Sequence, residues 1–205
     1  MNIVLLGIQG SGKGTLVQDL SKHLDFSLVS VGALLREEIA TGSELGKLIK
    51  SKTDKGELVD IKIVIETVKR KLSQNRKPIV IFDGFPRSSE QADELDKICN
   101  VDLAIYLNLK KEDAIKRIMN RLTCSKCGNI TTRVKCPDLK CPVCKGKLTV
   151  RSDDTPEAVN KRFEQYELET YPLIERYKKH GVLVAEIDAS KTPDEVLKAV
   201  MKVIK

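Results

Sequence analysis

Tryptophan is absent from this chain, histidine occurs twice, and the aromatic side chains amount to four Phe and four Tyr in 205 residues. So few rings leave little material for the stacking platforms on which proteins lay out single-stranded nucleic acid. The two histidines, His23 and His180, lie in helical stretches rich in Lys and read as surface residues. A chemistry that turns on a histidine base is therefore not indicated. No apolar run reaches the length that a bilayer span needs, and a strand pattern begins directly after Met1. Neither a signal peptide nor a membrane anchor is read, and the cytoplasm is the expected compartment. No internal repeat, low-complexity segment or block of five like charges occurs. The net charge of +7 is spread along the chain, which suits a solvated surface or one that attracts polyanions, nucleotides or nucleic acid.

Cysteine is present but confined. Five of the six fall between Cys124 and Cys144, while Cys99 stands alone and reads as a small core residue. In a chain expected in the cytoplasm, Cys-x-x-Cys pairs favour a metal over disulfides. The length, with 41% hydrophobic and 32% charged residues, fits one α/β domain with insertions and a sizeable core.

The stretch Gly7-Ile8-Gln9-Gly10-Ser11-Gly12-Lys13-Gly14-Thr15 follows an apolar run at 2–6 and precedes a helical pattern. Strand, glycine-rich turn and helix N-terminus together make a cradle of backbone N–H groups for phosphate oxygens. Gly7, Gly10, Gly12 and Gly14 are expected to permit positive φ and close approach to the ligand. Lys13 adds a mobile charge at the β/γ-phosphate position. The usual loop has Ser or Thr directly after the Lys, whereas here Gly14 intervenes before Thr15.

Further strands are expected at 26–30, 78–83, 102–107 and 182–187, alternating with helical patterns. Five short apolar strands in such alternation point to a parallel sheet with right-handed crossovers. Helices are expected at 31–38, at 61–73 with Ile61, Ile65, Val68 and Leu72 on one face, and at 111–121, which puts Arg117 and Arg121 on one face. Between 41 and 60, Gly42, Gly46 and Gly56 break the pattern into short helices outside the main core. The stretch 122–154 reads as an insertion of its own kind, rich in Cys, Gly, Pro and Lys. One long helix is expected from Thr155-Pro156 to before Gly181, with a kink at Pro172, and a last helix after a capping box formed by Thr192 and Glu195.

Asp83 ends the clearest strand, at the carboxyl edge where open α/β sheets bind ligands. It suits Mg²⁺, held directly or through water. Arg87 follows Pro86 on a constrained turn, as bidentate phosphate recognition requires.

Three motifs in order, Gly10-x-Gly12-Lys13-Gly14-Thr15, Gly32-x-x-Leu35-Arg36 and Asp83-Gly84-Phe85-Pro86-Arg87-x-x-x-Gln91, closely resemble the adenylate kinase family of nucleoside monophosphate kinases. The resemblance covers nearly the whole chain. It implies a P-loop fold with a five-stranded parallel sheet flanked by helices, a helical AMP-binding insertion and a small zinc-binding lid. The core would be 1–29, 61–121 and 155–205, the insertion 30–60 and the lid 122–154. The implied reaction is Mg²⁺-dependent, reversible transfer of the ATP γ-phosphoryl group to AMP, giving two ADP and serving adenine nucleotide homeostasis.

The resemblance assigns Gly10, Ser11, Gly12, Lys13, Gly14 and Thr15 to the ATP phosphates, Arg117 to the ATP base and the Lys191 backbone to the same base. Gly14 leaves open whether the Thr15 hydroxyl meets the metal or the nucleotide. Arg36 and Arg87 would hold the AMP phosphate. Val31, the backbone of Glu57, Leu58 and Val59, and the turn Gly84, Phe85 and Pro86 would line the AMP site, with the Gln91 amide on the adenine edge. Lys13, Arg87, Arg121, Arg151 and Arg162 would surround the transferring phosphate. Cys124 and Cys127, then Cys141 and Cys144, are separated by thirteen residues and could each supply two thiolates to one structural Zn²⁺. Reduced or iron-bound thiols are the alternatives, and Cys136 lacks a Cys-x-x-Cys partner. The family's AMP kinases usually have Thr and Asp where this chain has Val31 and Ala33, which keeps a UMP/CMP kinase of the same fold open, while Gln91 favours AMP. A zinc-ribbon nucleic-acid-binding protein is the more distant alternative. The implied protein is monomeric, without nucleic-acid or membrane partners.

Overall fold

A computed structural model describes residues 1–74 and 77–204. The first half runs β1 (Asn2–Leu6), α1 (Lys13–Leu20), β2 (Ser27–Ser30), α2 (Val31–Ala40), α3 (Glu44–Thr53), α4 (Ile61–Gln74), β3 (Val80–Asp83) and α5 (Ser89–Asp96). It continues with β4 (Leu103–Asn108), α6 (Lys111–Met119), β5 (Arg121–Cys124), β6 (Ile130–Thr132) and β7 (Leu148–Thr149). The chain ends with α7 (Pro156–Gln165), a π-helical turn (Tyr166–Thr170), α8 (Leu173–Lys179), β8 (Leu183–Asp188) and α9 (Pro193–Ile204).

The five expected strands form one parallel sheet in the order β2-β3-β1-β4-β8. Side chains alternate across a strand, so each apolar run feeds two cores. Val4, Leu6, Phe82, Ala104 and Tyr106 pack on one face with Ile49, Val64, Val68, Leu173 and Tyr177. Ile3, Leu5, Ile81, Ile105 and Leu107 pack on the other with Leu16, Leu20, Phe163, Val196 and Val200. The chain goes from β1 to the edge strand β2, then returns through β3 and crosses to β4. The carboxyl end of β1 is thus a topological switch point, the place where such sheets bind ligands.

Four local expectations need correction. Residues 41–60 hold one helix, α3, and Gly46 lies inside it: a Cβ there would come within 2.5 Å of the Glu38 carbonyl, so the glycine lets α2 and α3 pack closely. Ile49 of this helix is 1% exposed in the main core rather than outside it. Helix α6 stops at Met119, and Arg121 belongs to β5, where it pairs with Thr132, so Arg117 and Arg121 do not share a helix face. The alternation of half-buried Arg121 and Thr123 with buried Leu122 and Cys124 is the period of a strand, and it overrides the helical reading.

The long helix expected after Thr155 is interrupted before Pro172. The Tyr171 N–H donates to the Tyr166 carbonyl five residues back, which makes a π turn, and Pro172 then precedes α8. Gly14 lies in the first turn of α1, outside the positive-φ glycines Gly7, Gly10 and Gly12. The caps behave as read: the Ala158 N–H donates to Thr155 Oγ1, and Thr192 and Glu195 close their box. Cys99 is half-buried at the rim of the core. A second, antiparallel sheet, β6-β5-β7, starts at Arg121 and carries the cysteines.

Candidate active site

The site grows from the loop between β1 and α1. Gly10 (φ +86°) and Gly12 (φ +102°) are left-handed, and Gly12 caps α1 with no side chain to satisfy the first helical N–H groups. Those donors stay available to an anion, at the positive end of the helix. Lys13 folds back into the loop, where Nζ donates to the carbonyls of Gly7 (2.6 Å) and Ile8 (3.1 Å) and to Ser11 Oγ (3.3 Å). Burial lowers its pKa to about 8, with Arg87 and Arg121 adding to the effect and Asp83 opposing it. Gly14 meets the second sheet: a Cβ at this position would lie 2.6 Å from Ile130 Cδ1 of β6. The residue after the Lys is thus a seat for that sheet.

Asp83 ends β3 in register with Ser30 and Leu5, and Ser30 Oγ donates to its carboxylate at 3.0 Å. The next loop folds on itself. Gly84 (φ +71°) turns the chain, the Phe85–Pro86 peptide is cis, and Phe85 is fully buried beside Phe82. Arg87 Nε donates to the Gly84 carbonyl at 2.9 Å, and the Arg87 N–H donates to Gln91 Oε1 at 2.9 Å. Gln91 is 5% exposed at the start of α5, with its oxygen occupied and its NH₂ left to donate. The Arg36 and Arg87 guanidinium groups both reach toward Gly32, 3.4 and 4.0 Å from where its Cβ would be.

Three further arginines face this edge. Arg121 grips Asp154 with Nε (3.1 Å) and Nη2 (2.6 Å). Arg162 Nη2 donates to Asp153 (2.8 Å) and to the Thr53 carbonyl (3.1 Å), and Arg151 Nε donates to Thr123 Oγ1 (3.1 Å). Burial, with mutual repulsion from their neighbours, lowers the pKa of Arg36 and Arg87 and brings that of Arg151 down to about 10. The cluster holds more cation than its carboxylates balance, which is the electrostatics of a polyphosphate site. Asp153 stays below the usual carboxylate range because Arg162, Arg36 and Arg151 outweigh its burial.

The remaining expected residues divide. Ser11 is buried, Thr15 lies in the first turn of α1, and Arg117 Nη1 approaches the Ser11 carbonyl at 3.4 Å. Lys191 is exposed in the turn after β8, at the same carboxyl edge. Val31 is 4% exposed and spends its side chain on the core. Glu57 turns its carboxylate to Lys161 (3.0 Å) and Lys52 (3.3 Å), Leu58 is half-buried, and Val59 joins the core. Asp153, Asp154, Ser30 and Thr170 were not singled out by sequence. The Asp pair one residue beyond Arg151 carried the one available signal, two adjacent acids close to an arginine.

The sulfurs of Cys124, Cys127, Cys141 and Cys144 all lie within 4.8 Å of one another, with Cys124–Cys144 at 3.5 Å and Cys127–Cys141 at 3.6 Å. Four thiolates about 2.3 Å from one tetrahedral ion would have such spacings, so the residues fit zinc. Backbone N–H groups of Cys127 and Lys126 help lower the Cys124 thiol to about 6. Cys136 is buried beside Thr131 Oγ1 (3.5 Å) and outside the four-sulfur group. Among the described residues, no helix is long and apolar enough to cross a membrane.

The family profile described as adenylate kinase matches residues 5–182. An adenylate kinase of Thermodesulfovibrio yellowstonii is 38% identical across all of this chain and 99% of its own length. An adenylate kinase of Archaeoglobus fulgidus is 38% identical across the whole chain and 98% of its length, and one of Borrelia garinii subsp. bavariensis 41% with the same coverage. With the parallel sheet, the phosphate loop and the arginine cluster, these matches show that the chain belongs to the adenylate kinase family of phosphotransferases.

Proposed function

We propose that the chain transfers the γ-phosphoryl group of Mg²⁺-bound ATP to AMP, reversibly, and so maintains the adenine nucleotide pool. The observation that carries this reading is the convergence of Lys13, Arg36, Arg87, Arg121, Arg151 and Arg162 on one sheet edge, beside an uncapped helix N-terminus. In the proposed assignment, Gly10 to Thr15 cradle the donor phosphates, and Arg117 and the Lys191 backbone lie against the donor base. Arg36 and Arg87 grip the acceptor phosphate, with Gln91 NH₂ donating to its base. Arg121, Arg151 and Arg162 face the charge that develops in transfer, Arg121 and Arg162 having exchanged Asp154 and Asp153 for phosphate oxygens.

Asp83, held by Ser30 and facing Lys13, would hold the magnesium, which would neutralise charge on the donor phosphates. The three-stranded sheet, which begins at Arg121, would form with the segment 122–154 a lid that excludes water, and 30–60 would be the acceptor-binding insertion on a core of 1–29, 61–121 and 155–205. Contacts of Gly14 with Ile130 and of Gln9 with Asp154 (3.3 Å) support the lid's seating on the phosphate loop. Zinc at the four cysteines would hold the lid together. A monomer in the cytoplasm completes the proposal.

One observation favours a second reading, a UMP/CMP kinase: Val31 offers the acceptor base no hydrogen bond. A coupled assay with ATP and each of AMP, UMP, CMP and GMP separates the two. AMP is the expected preferred acceptor, and a preference for UMP or CMP would overturn that choice.

A further inference from the structure

The π turn at Tyr166–Thr170 has a consequence for the acceptor loop. In a regular helix a threonine hydroxyl commonly bonds the carbonyl one turn back. Thr170 Oγ1 donates instead to the Arg87 carbonyl at 2.7 Å, across 83 residues of sequence. One extra residue in the turn changes the helix phase by about 100°, and π turns concentrate at functional sites for this reason. The half-buried Thr170 lies on the segment that continues α7, the helix that carries Arg162.

Arg87 is held at three points. Its N–H is held by Gln91 Oε1, its Nε by the Gly84 carbonyl, and its C=O by Thr170. The first two ties are local, within four residues, so they shape the loop without anchoring it to the rest of the molecule. The Thr170 bond alone among the three is long-range. It ties the Arg87 peptide to the end of the π turn that continues α7, so that Arg87 and Arg162, from distant parts of the chain, keep a fixed spacing.

We propose that Thr170 is a positioning residue for the acceptor phosphate: the π turn delivers its hydroxyl to the Arg87 carbonyl and so sets where that guanidinium points. The inference rests on the reading of Arg87 as an acceptor-phosphate ligand. Thr170→Ala and the isosteric Thr170→Val remove the donor, while Thr170→Ser keeps it. Loss of one hydrogen bond of ordinary strength predicts a rise of about threefold to tenfold in KM for AMP. KM for ATP should hardly move, the melting temperature should fall by at most a few degrees, and the Ser variant should behave as wild type. In the ligand-free protein, amide exchange across 84–91 should be faster in the Ala and Val variants than in the Ser variant. Equal rises in both KM values, a Ser variant as impaired as Ala, or unchanged exchange would each overturn the proposal. Wild-type protein that phosphorylates no nucleoside monophosphate would sink the functional reading instead, and the exchange measurement would still decide the Thr170 contact.

Discussion

At the scale of single residues, Lys13 and Gly14 carry opposite lessons. Lys13 was legible because its neighbours in sequence make the loop, and its Nζ does lie inside that loop. The surroundings of Gly14 were not legible, because the atom that a side chain there would have to displace, Ile130 Cδ1, comes from a different sheet. Replacing Lys13 with Met removes a cation aimed at developing charge and should lower turnover by about a hundredfold to a thousandfold. The melting temperature should stay near that of wild type; wild-type turnover in the variant would remove Lys13 from its role. The pKa of about 8 gives a second test. Above that pH the ligand-free Lys13 is mostly neutral, and bound phosphates favour its charged form. Donor binding at pH 9 should therefore take up protons, and affinity should fall by up to about tenfold per pH unit above pH 8. Calorimetry in buffers of different ionisation enthalpy reads the uptake directly, and no buffer dependence would contradict it.

At the scale of elements, the five strands of the parallel sheet were legible and two helices were not. Apolar-leaning runs of four to six residues bounded by turns identify the strands of the parallel sheet whatever their partners. Arg121 was misread because a few residues of helical spacing continue into a strand whose pairing with 130–132 is settled by chain well downstream. The π turn before Pro172 has no local signature, since it answers to contacts that include Arg87. The four-cysteine group lay between these cases: the spacing was visible, and folding brings the sulfurs within 4.8 Å. Leu122, Cys124, Cys136, Cys141 and Leu148 are the only core of that sheet among the described residues. A core so small is one that a metal at the four cysteines would staple. Elemental analysis should find one zinc per chain, and Cys144→Ser or a strong chelator should lower the melting temperature by several degrees. Metal-free protein with an unchanged melt would remove zinc from the account.

At the scale of the whole molecule, the net charge of +7 becomes intelligible as function as well as solubility. Arginines from α2, the loop after β3, β5, the segment before α7 and α7 itself face one sheet edge. No window of sequence shows that meeting; it required three motifs in order before any single Arg could be set apart from a Lys-rich surface. Asp153 and Asp154 escaped notice because their meaning lies in their partners, the same arginines that a nucleotide would recruit. The central claim is that this cluster bridges a donor and an acceptor nucleotide. It is tested most directly by phosphorus NMR of the purified protein with ATP, AMP and Mg²⁺. The account predicts two ADP formed for each ATP consumed, with no inorganic phosphate. Release of inorganic phosphate without ADP from AMP would contradict it.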